Sequence, residues 1–450
     1  MIFTRLIQKY NTPAPRYTSY PTVPLWENNV NSTAWDDLVS KAFSLYGKEE
    51  GITLYIHLPF CESLCTYCGC NKRITKNHGV EEPYIDSLLQ EWKKYLKLFQ
   101  EKPRLAGIHL GGGTPTFFAP ESLQLLLLTI MESSIVLENA EFSFEGHPNN
   151  TTKGHLRVLF ELGFDRVSYG IQDFDESVQK AIHRIQPFEN VKLATEQARE
   201  LGYTSVNFDL IYGLPYQTKE TLADTFEKVV MLSPDRIAFY SYAHIPSSFP
   251  AQKSYEHHLP SEFQKRELYE FGKQKLKEAG YVEIGMDHFS KKEDPLFLAL
   301  QNRKLHRNFM GFTTSPSKIL LGLGASSISD IYLAYAQNEK GIDSYQSAIA
   351  KGDWALTKGH RMTEDDLLIR DFILELICNH QAEVSQEIWG TLGEKQVEQL
   401  AQMQEEDLLD LDGNQLRVTK DGVLFIRQIC KIFDARLQSQ TKELIFSKAI

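Results

Sequence analysis

Residues 54–70 read LYIHLPFCESLCTYCGC, a short strand-like run that leads directly into four cysteines. The gaps between these cysteines are three, two and one residues. Three thiolates at the first two spacings can bind three irons of a cubane 4Fe-4S cluster and leave the fourth iron without a protein ligand. An iron with an open position can take part in chemistry. The predicted cluster ligands are Cys61, Cys65 and Cys68.

A structural zinc site is the alternative for this cysteine loop. Zinc prefers four closed ligands, which chains commonly present as two separated pairs of Cys or His residues. Cys70, His57 or His78 would have to supply the fourth ligand here. Because the cysteines lie in one compact loop, a zinc tetrahedron is awkward, and the spacing favours the cluster.

Outward from this loop, short β-branched or aromatic runs alternate with longer segments of helical period between about residues 52 and 290. This alternation predicts repeated βα units and therefore an α/β fold with a parallel sheet, either a barrel or an open sheet. Residues at the carboxyl ends of such strands converge on one face, where we expect the active site. The strand candidates are residues 54–59, 106–113, 141–148, 166–172, 205–215 and 236–246, with a seventh candidate at 281–289.

The C-terminal segment has a different pattern, with helical stretches and a predicted hairpin, LLDLDGNQLRVT, at 408–419. Helices followed by a hairpin are typical of a winged helix. This segment carries nine Lys or Arg against seventeen Asp or Glu, so a lid or packing role is favoured over groove binding to DNA. The predicted division is an N-terminal arm and leading helix (1–50), a barrel core (51–290), a connecting region that completes the active site (291–362) and a mainly helical C-terminal domain (363–450).

The composition of the 450-residue chain, 42% hydrophobic and 24% charged, is that of a globular protein with a sizeable core. The net charge of −11 disfavours general nucleic-acid binding. No run approaches the roughly 18 apolar residues of a membrane span. The N-terminus lacks the long apolar segment and cleavage site of a signal peptide, so the expected location is the cytoplasm.

The cysteine spacing resembles the signature of the radical S-adenosylmethionine (SAM) superfamily, Cys-x3-Cys-x2-Cys after the first strand of a βα series. Tyr67 fits the aromatic residue that commonly precedes the third cysteine, and GGGTPT at 111–116 resembles the superfamily's glycine-rich strand end. The resemblance implies a partial (β/α)6 radical SAM barrel. It also implies a 4Fe-4S cluster whose open iron binds SAM, and a 5′-deoxyadenosyl radical that abstracts hydrogen from unactivated carbon.

A narrower resemblance extends from the N-terminal arm to the final helix, to the oxygen-independent coproporphyrinogen III oxidases (dehydrogenases). This family resemblance implies oxidative decarboxylation of two propionate side chains of coproporphyrinogen III to vinyl groups, giving protoporphyrinogen IX in haem biosynthesis. It also implies two SAM molecules and an electron donor such as flavodoxin or ferredoxin. The similar motifs are YNTPAPRYTSYPT (10–22), GIQDF (170–174), NFDLIYGLPYQT (207–218), YAHIP (242–246), GMDHF (285–289) and LHRNFMGFTT (305–314).

The same resemblance implies which residues bind SAM. The Glu145 carboxylate suits the methionyl ammonium through a charge-assisted hydrogen bond. Arg184 can pair with the carboxylate of a second SAM and Asp209 can accept from ribose hydroxyls, although Arg184 could also be a solvated charge. The positions that match the first SAM site are Tyr55, Gly112, Glu145 and Ile328. The positions that match the second are Tyr67, Gly113, Thr114, Gln172, Arg184, Asp209 and Ala243.

Cys70 lies beyond the generic three-cysteine motif. One residue past Cys68, it cannot easily reach another corner of the cluster, so we expect it to face the site or the substrate; a buried inert thiol is the alternative. Its presence and that of the PRYTSYP arm favour the decarboxylating enzyme over related haem-handling proteins. The expected catalytic residues are Cys70, Tyr55 and Glu145.

The arm at 15–21 is stiffened by prolines and offers a cation with two aromatic residues. Because the substrate has four carboxylates and a large macrocycle, we expect Arg16 and Tyr20 to help close its pocket, with a simple packing strap as the alternative. Arg307 is a second candidate for a propionate. One departure from well-known members is Gly146-His147-Pro148-Asn149, where they have aspartate before the proline and arginine after it.

Two other functions compete with the oxidase. One is a haem chaperone built on the same scaffold, and the other is a redox-sensing DNA binder whose acidic tail argues against it. The expected partners are a tetrapyrrole substrate and an electron donor, with no nucleic acid, no membrane and a monomeric chain. Cys378 and Cys430, in the C-terminal segment, are expected to be buried packing residues.

Overall fold

The computed structural model describes residues 2–28, 30–440 and 446 of the chain. Six parallel strands form its centre, and each pairs with the next along the chain. The six predicted strands are confirmed, although the third begins at Ile135 rather than near residue 141. The strands are β1 (Ile52–Leu58), β2 (Arg104–Gly112), β3 (Ile135–Gly146), β4 (Arg166–Gln172), β5 (Ser205–Tyr212) and β6 (Arg236–Ser241).

A helix follows each strand and covers the outer face of the sheet. The first of these helices shows why, since Tyr84, Leu88, Trp92 and Tyr95 recur every three or four residues and are all buried. The apolar core therefore lies between the sheet and its helices. The helices are α1 (Glu81–Phe99), α2 (Pro120–Glu132), α3 (Lys153–Glu161), α4 (Phe188–Leu201), α5 (Lys219–Leu232) and α6 (Glu262–Glu278).

The inner face of the sheet is polar around β3, β4 and β5. In these strands buried residues alternate with half-buried ones, because successive side chains point to opposite faces. Ser143, Ser168 and Asn207 are among the half-buried residues and line an internal cavity. The helices thus cover the apolar face, and the polar face encloses a space inside the partial barrel.

The sheet continues beyond the six strands at both ends. The prediction of a seventh βα strand at 281–289 was wrong, because this segment forms two antiparallel strands, Val282–Gly285 and His288–Ser290. Met286 and Asp287 turn the chain with positive φ angles of 43° and 75°, and so short a turn cannot make the crossover that a parallel strand needs. At the other end the sheet gains Leu320–Leu323, Ile328–Asp330, Ala334–Asn338, Leu356–Arg361 and Glu27–Asn28.

The C-terminal segment has its own apolar core. Helix α7 (Glu364–Asn379) leads into a small sheet whose hairpin strands confirm the predicted hairpin at 408–419 and the winged-helix-like arrangement. The N-terminal arm packs on this core, where the Tyr17 hydroxyl donates to Asp434 at 3.0 Å. The remaining elements of this segment are Gln381–Glu383, Gln386–Gly390, Glu394–Glu405, Leu409–Asp412, Gln415–Val418, Gly422–Phe425, Ile426–Ile432 and Ala435–Gln438.

Cys378 and Cys430 are both buried in this second core, as expected. Within the described residues, no helix is long and apolar enough to span a bilayer. The predicted domain boundaries stay predictions. The other elements are helices at Ile2–Tyr10, Val23–Leu25, Ser32–Ala42, Phe43–Gly47, Lys48–Glu50, His78–Val80, Pro115–Phe117, Glu176–Ala181, Pro250–His258, Pro295–Gln301 and Ile342–Ala350, and strands at Phe60–Cys61, Arg73–Ile74, His306–Asn308 and Gly311–Thr313.

Candidate active site

The cysteine loop lies at the carboxyl end of β1 and is anchored by backbone hydrogen bonds. Its first strand, Phe60–Cys61, pairs with Arg73–Ile74 after the loop. Inside the loop the Cys68 N–H donates to the Cys65 carbonyl at 3.2 Å. Cys61 and Cys65 are buried, Cys68 is half-buried and Cys70 is exposed. The three predicted cluster ligands are therefore gathered at the face where parallel strands end, and Cys70 stands apart from them in exposure.

Hydrogen-bond donors surround the sulfur atoms. The Thr114 hydroxyl donates to the Cys61 Sγ at 3.3 Å, and the Arg184 Nη1 donates to the Cys65 Sγ at 3.4 Å. The Lys72 ammonium donates to the Cys68 carbonyl at 2.8 Å, which brings a second positive charge to the loop. Donors and cations favour thiolates, which are the form that binds iron. The donor set therefore fits an iron–sulfur cluster.

The alternative of a single zinc ion has a different requirement. Zinc needs at least three ligand atoms within about 2.3 Å of one point. Across residues 2–28, 30–440 and 446, no three His, Cys, Asp or Glu side chains are arranged to hold one metal ion. A cubane has a looser requirement, since each thiolate would bind a different iron of the cluster.

Glu145 ends β3 beside the glycine run that ends β2. Its Oε2 accepts from the Gly112 N–H at 3.2 Å, and its Oε1 lies 3.7 Å from the His109 Nε2. Burial alone would raise the pKa of Glu145, but His109 and the Gly112 N–H together hold it below its usual value. The side chain is 45% exposed, so an ionised carboxylate faces the space above the strand ends.

Gly112 is required by close packing. It has a φ of +113°, and a Cβ there would lie 2.6 Å from the His57 ring. The His57 ring is held in place because its Nδ1 lies 3.1 Å from the Tyr55 hydroxyl and its Nε2 lies 2.9 Å from the Asn71 carbonyl. His57 thus connects Tyr55 to the end of the cysteine loop. Sequence reasoning considered His57 only as a zinc ligand and missed this role.

Ile328 reaches the same region from a distant part of the sequence. It begins a strand that lies antiparallel to Leu320–Leu323. The strand Leu320–Leu323 in turn runs parallel to β1, with Gly322 opposite Tyr55. A Cβ on Gly322 would lie 2.6 Å from the Ile328 carbonyl oxygen, so the two backbones approach closely. Tyr55, Gly112 and Glu145 therefore come from the adjacent strands β1, β2 and β3, and Ile328 comes from a strand that Leu320–Leu323 separates from β1.

A second group of predicted residues lies around β4 and β5, with Arg184 in the loop after the helix Glu176–Ala181 and Asp209 within β5. Arg184 donates through Nε and Nη2 to the Gly170 carbonyl at 3.1 and 2.6 Å. Asp209 accepts from the Ser168 hydroxyl at 3.4 Å, and burial, with the Glu145 charge nearby, raises its pKa to about 7. Arg184 is consequently held by the barrel and by the cysteine loop rather than free in solvent.

Two further residues that the sequence did not single out support this group. Gln252 Nε2 lies 3.3 Å from both the Tyr67 and Ala243 carbonyls and ties the cysteine loop to the segment after β6. Asp173 follows Gln172, whose φ is +69°, and accepts from Gln217 at 2.6 Å and from Thr225 at 2.8 Å. The buried aspartate in the GIQDF motif was a usable signal for Asp173, whereas nothing in the sequence indicated Gln252. Gly113 and Thr114 complete the region, with backbone N–H groups bonded to Leu58 and Phe60.

The three residues that are expected to contact the substrate lie in different environments. Arg16 is ion-paired with Asp287 at 2.6 Å, and Tyr20 is 3% exposed in the core of the C-terminal segment. Arg307 borders the internal cavity. Their roles toward substrate stay predictions. In Gly146-His147-Pro148-Asn149, the segment that differs from well-known members, burial and the Arg184 charge lower the pKa of His147 to about 3. A neutral imidazole ring therefore lies near Arg184.

Comparison with known proteins adds independent information. The profile of the Radical SAM superfamily matches residues 55–229. The chain is 38% identical to the oxygen-independent coproporphyrinogen III oxidase of Escherichia coli (strain K12), over 99% of this chain and 98% of that protein. It is 37% identical to the Salmonella typhimurium protein of the same name, at the same coverage. The solved Escherichia coli structure, described as a radical SAM enzyme, superposes with a TM-score of 0.88 at 37% identity and covers 96% of this chain and 98% of that one.

Proposed function

The chain belongs to the family of oxygen-independent coproporphyrinogen III oxidases within the radical SAM superfamily, and from this membership we propose its reaction and the roles of its residues. It is an oxidoreductase that converts two propionate side chains of coproporphyrinogen III to vinyl groups, giving protoporphyrinogen IX for haem biosynthesis. Its cofactors are a 4Fe-4S cluster and SAM. The observation that carries this conclusion is full-length similarity to named oxidases. That similarity supports the enzyme over the haem chaperone and the DNA binder.

Each decarboxylation balances in atoms and electrons. A propionate, –CH2–CH2–COO⁻, becomes –CH=CH2 by losing one hydrogen atom, one carbon dioxide and one electron. When bound, the cluster and SAM supply a 5′-deoxyadenosyl radical, which accepts the hydrogen atom. The remaining electron goes to an external acceptor.

Cys61, Cys65 and Cys68 would hold three irons of the cluster. The donors from Thr114 and Arg184 would lower the negative charge that these sulfurs carry, as hydrogen bonds to cluster sulfurs do. The Glu145 carboxylate would bind the methionyl ammonium, with Tyr55 beside it and with Gly112 and Ile328 giving backbone access. These residues would hold the methionyl part of SAM beside the cysteine loop.

The residues around β4 and β5 would hold a second SAM. The Arg184 guanidinium, in the loop after the helix Glu176–Ala181, and the Asp209 carboxylate on β5 suit the carboxylate and the ribose hydroxyls of that molecule. Binding there would keep the deprotonated form of Asp209, since a hydroxyl donor stabilises the charged carboxylate. The full set is Tyr67, Gly113, Thr114, Gln172, Arg184, Asp209 and Ala243.

Cys70 would act on the substrate side of the loop, together with Tyr55 and Glu145, because it is more exposed than the three cluster ligands. Arg16 and Tyr20 would close the substrate pocket from the arm. An electron donor such as flavodoxin or ferredoxin would reduce the cluster. We place the enzyme in the cytoplasm as a monomer that contacts neither nucleic acid nor membrane.

The reaction is tested by anaerobic incubation of the reconstituted protein with SAM, dithionite and coproporphyrinogen III. We expect vinyl product with one 5′-deoxyadenosine per propionate consumed. Substrate-dependent 5′-deoxyadenosine without vinyl product would contradict the proposed reaction. Equilibrium dialysis with labelled SAM counts the bound molecules, and a stoichiometry of one would contradict the second site.

A further inference from the structure

A cavity of about 460 Å³ lies inside the partial barrel, within the size range of small-molecule sites. Its walls come from the inner faces of the strands, the 306–313 hairpin and α7. Two of its lining residues contact the SAM-binding groups proposed above: His109 lies 3.7 Å from Glu145, and the Ser168 hydroxyl donates to Asp209. A ligand in this cavity is therefore adjacent to both groups.

Several cations line the cavity, and most of them already have a carboxylate partner. Arg166 is paired with Glu141 at 2.7 Å, and Arg370 holds Asp330 through two nitrogens at 3.0 and 2.8 Å. In these pairs a carboxylate neutralises the guanidinium charge and leaves little net charge for a ligand, although in the described part of the chain the Nε atoms of Arg166 and Arg370 have no hydrogen-bond acceptor.

Arg307 differs from these cations. It is 8% exposed, and among the described residues its Nε and Nη1 find no hydrogen-bond acceptor. Its guanidinium lies over the Phe312 ring at 4.8 Å, and the nearby Asp287 is occupied by Arg16 at 2.6 Å. Burial, with the Arg16 charge nearby, lowers the pKa of Arg307 only to about 10, so the group stays charged at neutral pH. Buried donors without acceptors are costly, and a ligand carboxylate would relieve that cost.

We propose that this cavity holds the tetrapyrrole and that Arg307 binds a propionate which keeps its carboxylate during the turnover. This inference rests on the proposed function and adds to it the location of the substrate-binding site and a residue that binds the substrate there. A guanidinium stabilises a carboxylate more than it stabilises departing carbon dioxide, so pairing with the reacting propionate would slow the reaction. A retained propionate has no such conflict, and its pairing fixes the position of the macrocycle below the SAM groups.

Binding is tested with coproporphyrin III, a fluorescent tetracarboxylate, and with its tetramethyl ester as the uncharged counterpart. We expect Arg307→Met to weaken coproporphyrin binding roughly 10- to 100-fold, the value of one charge-assisted hydrogen-bonded contact, and to leave ester binding unchanged. Arg303→Met, which removes an exposed cation from the same cavity rim, is the matched control, with a change below about 3-fold. Equal affinity in wild type and Arg307→Met, or equal weakening of acid and ester, would overturn the proposal.

Kinetics of the reconstituted holoenzyme separate the retained from the reacting propionate. We expect Arg307→Met to raise the KM for coproporphyrinogen by the same factor by which it weakens coproporphyrin binding. We expect its kcat to stay within about 3-fold of the wild-type value, because the contact persists in the transition state. A fall in kcat at unchanged KM would overturn the assignment to a retained carboxylate. Arg307→Lys, which keeps the charge, is expected to bind coproporphyrin with intermediate affinity, and Arg307→Gln replaces the methionine variant if that one does not fold. If wild type binds coproporphyrin in an Arg307-dependent manner but forms no vinyl product, the cavity assignment stands and the proposed reaction fails.

Discussion

Gly112→Ala tests whether close packing between the glycine run and His57 holds the SAM side of the site together. The added Cβ would lie 2.6, 2.7 and 2.9 Å from three atoms of the His57 ring, and the residue would also have to adopt a φ of +113°. The ring cannot move away freely, because it is bonded at both nitrogens, to Tyr55 and to Asn71.

The expected cost follows from these contacts. Backbone strain costs about 1–3 kcal/mol, overpacking costs about 1–3 kcal/mol, and each His57 hydrogen bond that breaks costs about 0.5–1.5 kcal/mol. If one of the two His57 hydrogen bonds breaks, we therefore expect Gly112→Ala to lower the unfolding free energy by about 2.5–7.5 kcal/mol. Gly352→Ala is the matched control: Gly352 has a φ of +82° with no atom within 4 Å of an added Cβ, so only the strain applies.

Urea unfolding of the apoprotein measures both variants, and a double-mutant cycle isolates the clash. In a His57→Ala background the ring is absent, so the cost of Gly112→Ala should fall to that of Gly352→Ala. The coupling expected between the two sites is about 2 kcal/mol. If Gly112→Ala costs no more than Gly352→Ala, or if removing His57 gives no relief, the packing argument is wrong.

Three further predictions concern the cluster loop and its surroundings. Cys65→Ser should abolish iron retention and both products, because a missing thiolate leaves the cubane unanchored; an unchanged yield of 5′-deoxyadenosine would contradict the ligand assignment. Cys70→Ser should keep nearly all the iron and lose vinyl formation, whereas loss of iron in a colorimetric assay would make Cys70 a ligand. Burial raises the pKa of Asp173 to about 6, despite hydrogen bonds that lower it, so the folded chain holds this proton more tightly than the unfolded chain does. Stability from this group is therefore present below a pH of about 4 and is lost as the pH rises to about 6, at up to about 1.4 kcal/mol per pH unit. The unfolding free energy of wild type relative to Asp173→Asn should decline over that interval, and a flat difference would contradict it.

Local patterns were sufficient for the order of the barrel. Helix α1 (Glu81–Phe99) lies between the first two strand candidates, where a segment of helical period is expected, because apolar residues at three- and four-residue spacing bury one face. The prediction of a seventh βα strand at 281–289 was wrong because the apolar residues of this segment suit a parallel or an antiparallel strand equally well. The turn at Met286 and Asp287 decided between them.

The candidate site divides in the same way. The spacing of Cys61, Cys65 and Cys68 was sufficient to predict them as cluster ligands, because a cluster-binding loop is local in sequence. The contacts of Gln252 with Tyr67 and Ala243 could not be predicted from spacing, since they join segments that meet only when the barrel closes.

The sequence by itself determined the fold class and the family and predicted the cysteine ligand set, because periodicity, spacing and motif order are properties of neighbouring residues. Only the tertiary structure decided which charges are already satisfied. Arg16, Arg307 and Arg370 look alike in the sequence as single cations, yet two of them pair with Asp287 and Asp330, while among the described residues the Nε and Nη1 of Arg307 have no hydrogen-bond acceptor. Pairing depends on which distant carboxylates the fold brings within hydrogen-bond distance, and no local pattern carries that information.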